Sequence, residues 1–318
     1  MDTIEARLHA EVTPPATHEH LVTSGIGPAG ELVALWSDES GAAALRGRVE
    51  GSNGVSYAAV SAERTVLCTV TVHAPDRVRA TVLGVGSANN EIQPLPDGRV
   101  LVAGARSALT EHGATANAAV YDDAGLQVAE GVLGDGINHL LTTRAGDIWV
   151  GYFDEGVFGN LGWGDHGRPL GDCGIARFDE GLRQVWTYPG GRQAPPVSDC
   201  YALNVTDTQV WACYYITFPV ARITGDHVRT WTNEVGAASA IIGEDTRVAL
   251  FGGYKEHRDR LVLGALTGDR FEPQLTTRLT LPGGAPVTGV QVFARGAELH
   301  LLDGRTWWKV ALEQIGAR

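Results

Sequence analysis

A short alternating run, a tight polar turn and a second, almost wholly apolar run recur together along the chain. The clearest copy is INHLLTT-RAG-DIWVGYF at 137–153. Others are EIQPL-PDG-RVLVAGA at 91–105, LVTSGIG-PAG-ELVALWS at 21–37 and YALNV-TDT-QVWACYY at 201–215. Two weaker copies are SAIIG-EDT-RVALFGGY at 239–254 and GVQVFA-RG-AELHLLD at 289–303. Gly and Asp at the turns give the backbone the freedom a hairpin needs, and Val, Ile, Trp and Tyr in the second run suit a buried strand. Third and fourth strands are predicted after the hairpins, at 117–133, 174–188 and 220–232. Hairpins recurring every 40–70 residues or so predict an all-β fold, a single β-propeller domain over 1–318 with about six four-stranded blades. The interval from 21 to 91 leaves room for a seventh. RTWWKVAL (305–312) can supply only a third strand to the last blade, and EARLHAEV (5–12) is expected to supply the fourth. A β-sandwich shares the short-strand signature, but the regular hairpin and the unfinished last blade favour the propeller.

Composition agrees with many turns and few helices: among 318 residues there are 41 Gly, one Met, eight Trp and eight Tyr. The formal charge of −12 comes with no basic run, which argues against nucleic-acid and anionic-membrane partners. No stretch reaches 18 apolar residues, and the first residues lack the apolar core of a signal peptide. Four scattered cysteines without a C-x-x-C pair point to reduced thiols and a cytoplasmic location.

The string GDIWVGY at 146–152, followed by GIARF at 174–178, resembles the repeat of two-component-regulator-type and NHL-like propellers. Longer strings, GDGINHLLTT (134–143), WVGYFDEGVFGNLGWG (149–164), DCYALNV (199–205) and FGGY (251–254), resemble a family of actinobacterial propellers. These resemblances imply a fold and carry no activity.

In a propeller meander, inner-strand entrances and the loops between strands two and three share one face. The turns between strands one and two are tight here, whereas the two–three loops at 37–54, 106–116 and 154–173 are long. That face is where function is expected. Aligned by their turns, the entrances read Thr23, Glu91, His139, Tyr201, Ser239 and Val290, with Asn89, Asn90, Asp135, Asn138, Asp199 and Cys200 beside them. The starts of the two–three loops read Asp38, Arg106, Asp154, Ile216, Tyr254 and Arg305.

Glu91, Asn138, His139, Asp154 and Asp199 together offer the oxygen and nitrogen donors of a divalent site, and calcium or magnesium is the ion such a set would hold. The competing reading is that these residues cap strands and satisfy loop amides. A metal-free scheme gives His139 the role of general base and Tyr201 that of acid, with Asp154 in the same site and Arg106 holding a substrate carboxylate. Phe158, Trp163 and His166 in the glycine-rich 154–173 loop, together with Tyr254, are the expected ligand-binding side chains, and that loop could form a lid. Phe158 and Trp163 could equally pin the loop to neighbouring blades. Two functions follow from the same face: a hydrolase or lyase acting on a small polar molecule, or a non-catalytic propeller that binds a ligand or a protein.

Overall fold

The computed structural model describes residues 3–50, 54, 56–191 and 193–316. The chain is a six-bladed β-propeller with four-stranded blades. It groups into two compact units, residues 13–188 and residues 1–12 with 189–318.

The first unit holds three blades. Blade one is the antiparallel meander His20–Ile26, Leu32–Ser37, Ser61–His73 and Arg77–Ser87. Blade two is Asn90–Pro94, Val100–Gly104, Ala118–Tyr121 and Gln127–Gly131. Blade three is Ile137–Thr142, Ile148–Tyr152, Ile175–Phe178 and Gln184–Thr187. The space before residue 91 contains no additional blade among the described residues. A helix, Glu39–Leu45, a small hairpin of Arg48–Glu50 with Ser56–Ala58, and the long outer strands of blade one fill it. Residues 51–53 of the long 37–54 segment, and 55, lie outside the described residues.

The second unit holds the other three. Blade four is Asp199–Val205, Val210–Tyr215, Val220–Thr224 and His227–Trp231. Blade five is Ala240–Glu244, Arg247–Phe251, Arg260–Thr267 and Arg270–Leu281. Blade six is Gln291–Arg295, Glu298–Asp303 and Thr306–Ala311, completed by Arg7–Glu11 from the chain start. The early strand thus takes the place expected of residues 5–12. Just before it, Thr3–Glu5 pairs in parallel with Arg278–Thr280 at the outer edge of blade five. One segment therefore covers two sheet edges that would otherwise expose unpaired amides and carbonyls.

Burial falls steeply from the second strand to the fourth. Leu32–Ser37, Val100–Gly104 and Ile148–Tyr152 are buried at every position, while Gln127–Gly131 and Gln184–Thr187 are largely exposed or half-buried. Second strands lie between neighbouring blades, so both faces are apolar. Val33 and Leu35 pack with Ile92 and Val102, and Leu101 and Ala103 pack with Leu140 and Val150. In the second unit Trp211 packs against Ile241 and Leu250, and Ile242 and Leu263 pack with Leu299 and Leu301. Trp211 comes so close to blade five that a side chain at Gly243 would meet its ring at 2.9 Å.

The W…AR pattern of blades three and four has a structural cause. Trp149 and Arg177 are cross-strand partners, as are Trp211 and Arg222. Each guanidinium lies over the indole, 5.5 and 5.3 Å from the ring centroid. Such pairs combine cross-strand packing with cation–π attraction worth about 0.5–2 kcal/mol.

Candidate functional site

Within each unit, inner-strand entrances meet two–three loops, as the meander requires. In the first unit this meeting is an ion-pair cluster. Arg106, at the start of the blade-two loop, is buried and grips Asp135, at the entrance to blade three. Its Nε donates to Oδ1 at 2.8 Å and its Nη2 to Oδ2 at 2.9 Å. Its Nη1 lies 2.7 Å from Glu155 Oε2, and its guanidinium stands over the Phe153 ring. The Ser107 amide also donates to Asp135 Oδ1 at 2.9 Å. Burial works against the charged guanidinium, but Asp135 and Glu155 outweigh it and hold Arg106 above its ordinary value. Arg106 is therefore committed to protein carboxylates and is not the free arm expected to hold a substrate.

The 154–173 loop begins with a short helix, Asp154–Phe158. Exposed Asp154, the first residue of that helix, accepts a 2.8 Å hydrogen bond from the Glu155 amide. Trp163 is buried, and its Nε1 donates to the Ser107 carbonyl at 2.8 Å. Leu109 N donates to Leu161 O at 2.9 Å. These contacts fasten the loop to blade two, which takes Trp163 out of the ligand-binding set and leaves it an anchor. Phe158 (70% exposed) and His166 do face solvent.

His139 is half-buried at the start of blade three, with Asn138 Nδ2 3.4 Å from its Nε2. Glu91 lies at the corresponding place in blade two. Desolvation pushes its carboxyl up to about 7. Among the described residues no group of three or more His, Cys, Asp and Glu side chains could hold a metal ion. Several neighbouring amides instead do the capping work. Asn89 Nδ2 donates to Gly47 O and Ala59 O, each at 3.1 Å, and Asn90 Nδ2 to Ser87 Oγ at 2.7 Å. Asp38 caps the Glu39–Leu45 helix by accepting from Gly41 N at 2.6 Å.

In the second unit the meeting is aromatic. Tyr201, at the entrance to blade four, shares a 2.5 Å hydrogen bond between hydroxyls with Tyr254, in the blade-five loop. Phe218 lies edge-on to both, at centroid distances of 5.3 and 6.1 Å, and Tyr215 adjoins it at 5.6 Å. Burial and the Tyr254 hydroxyl push the Tyr201 phenol above its ordinary value, so it stays protonated at neutral pH. Tyr215 (43%), Ile216 (58%) and Tyr254 (52%) are exposed. Sequence reasoning singled out Tyr201, Ile216 and Tyr254 but missed Tyr215 and Phe218. The run YYITF at 214–218, four apolar or aromatic side chains that carry on from the second strand into its loop, was the available signal. Beside Asp199, Cys200 is fully buried, and burial pushes its thiol well above the ordinary range, which leaves it inert as a nucleophile.

Next to Tyr254, the same loop walls a cavity of about 530 Å3. Ser239, at the entrance to blade five, and Val290, before the inner strand of blade six, line it too.

Comparison with known proteins adds a short family match and distant similarities. A profile of the YxzG family matches residues 190–244. No curated protein matches the chain. Among solved structures it is similar to the Cps50 (Swd1) β-propeller domain of Myceliophteria thermophila, at 9% identity and a TM-score of 0.47, over 93% of this chain and 82% of that one. It is also similar to Hsv2 of Kluyveromyces lactis, at 8% identity and a TM-score of 0.47, over 88% and 69%. A third similarity is to the extracellular domain of the one-component system BT4673 of B. thetaiotaomicron, at 10% identity and a TM-score of 0.45. That match covers 98% of this chain but only 42% of the other. No helix among the described residues is long and apolar enough to cross a membrane.

Proposed function

We propose that this propeller is a non-catalytic binding module that docks a partner protein on the loop-rich face of its second unit. The observation that carries the reading is the cluster in which exposed Tyr215, Ile216 and Tyr254 surround half-buried Tyr201 and Phe218. Contiguous exposed aromatics are what binding hot spots are built from. A protein fits better than a sugar. The rings of Tyr201, Phe218 and Tyr254 meet at 74–80°, presenting edges and crevices rather than the flat platform on which a sugar stacks, and Ile216 adds an apolar knob. Four cysteines outside any disulfide support a reducing compartment such as the cytoplasm.

The test is site-specific crosslinking in cells, with a photoreactive phenylalanine in place of Tyr254 or, as control, of exposed Leu126. A discrete adduct at 254 that is absent at 126 and lost in the Tyr215→Ala/Ile216→Ser background supports the reading. Equal labelling at both positions, or none, overturns it.

One observation favours the alternative of a hydrolase or lyase acting on a small polar molecule. Glu91, with its carboxyl raised to about 7, has the acidity of a general acid–base.

A further inference from the structure

We infer that the cavity beside the tyrosine cluster is a separate site for a small organic acid with an apolar body. Its walls are apolar: Phe251 at the end of the second strand of blade five, and Val287, Val290 and Val292 leading into blade six. Its rim is charged, carrying Lys255, Arg258 and Arg278 against Glu256 and Asp259. Arg278 is neutralised by Asp259, whose Oδ2 accepts from Nη1 at 3.3 Å. Glu256 leans toward His257 at 3.9 Å. Among the described residues neither Lys255 nor Arg258 has a carboxylate or a hydrogen-bond acceptor. The cavity therefore keeps a cationic surplus in a protein whose formal charge is −12.

A second observation comes from the sheet. Arg260 and Arg278 stand directly opposite each other on neighbouring strands, and like charges so placed repel. Arg260 Nη2 donates to the carbonyls of Ala237 and Gly252, at 3.1 and 3.3 Å, while its Nε is buried without a partner. Of the two cross-strand arginines, Arg278 alone has a carboxylate partner among the described residues, that of Asp259. Arg278 is the member of the pair that lines the cavity, where an anion would offset its share of that repulsion.

The volume decides the size of the guest. About 530 Å3 is within the range of small-molecule sites and far exceeds what one acidic side chain fills. The valines and Phe251 ask for a hydrocarbon or ring, and the rim asks for a carboxylate on it.

The probe is 4-(4-fluorophenyl)butyrate, followed by 19F NMR on the full chain, with the corresponding alcohol as neutral control. Binding of the acid at least tenfold tighter than the alcohol is expected, with the preference lost in Lys255→Gln/Arg258→Gln. Both residues are exposed and unpaired, so that variant should keep the parent's melting temperature. Equal binding of acid and alcohol, no binding of the acid up to 10 mM or so, or unchanged affinity in the variant overturns the proposal. Tyr215→Ala should leave this binding intact while abolishing the partner crosslink, so the two readings fail separately.

Discussion

Asp135 is fastened by three donors, two from Arg106 and one from the Ser107 amide, in a setting where both charges are buried. Removing one member of such a pair strands the other. Asp135→Ala is therefore expected to lower the free energy of unfolding by about 3 kcal/mol, measured by urea denaturation, although Glu155 stays beside Arg106. Glu91 behaves in the opposite way. Its folded pKa is raised from an ordinary 4.5 to about 7, so the folded state binds more protons between those values than the unfolded state does. The group costs nothing below pH 4.5 and destabilises increasingly up to pH 7. Glu91→Gln should match the parent at pH 4 and exceed its stability at pH 8 by about 1–2 kcal/mol, since partial exposure screens the effect. At this scale the sequence located polar side chains without showing their partners. Arg106 looked like a free guanidinium because Asp135 lies 29 residues away and no spacing rule joins them.

Elements were legible in proportion to their burial. The second strands, covered on both faces, read as apolar runs such as IWVGY, and all six hairpins lie within three residues of where the pattern placed them. Fourth strands such as Gln184–Thr187 have one wet face and a weak pattern. The parallel pairing of Thr3–Glu5 left no signal, because three residues cannot declare a period. The glycine-rich loop was legible as long but not as fixed. Its anchors are an indole hydrogen bond to a backbone carbonyl and a backbone bond from Leu109 to Leu161, which sequence cannot show. Deleting residues 3–11 would expose the edges of blades five and six. The truncated protein should melt at least about 5 °C lower by calorimetry and show concentration-dependent light scattering on heating.

For the molecule as a whole, strand polarity was the productive inference. An up-and-down meander must send its inner-strand entrances and two–three loops the same way, and each unit shows this, with Arg106–Asp135 in one and Tyr201–Tyr254 in the other. Which chemistry would gather there was not legible, because it depends on blade neighbours far apart in sequence. Packing at this scale also protects the thiols. Cys68, Cys200 and Cys213 are fully buried and Cys173 is partly so, and burial raises all four. Native protein should react slowly with a disulfide reagent such as DTNB, with Cys173 first, and release four equivalents in denaturant; rapid native release of several would contradict this packing. The strand Arg7–Glu11 also has a bearing on biosynthesis. Its partner Thr306 lies 295 residues beyond Glu11, so a growing polypeptide must keep this segment unclaimed until the strand that holds Thr306 has been translated. During that wait it is a natural client for chaperones.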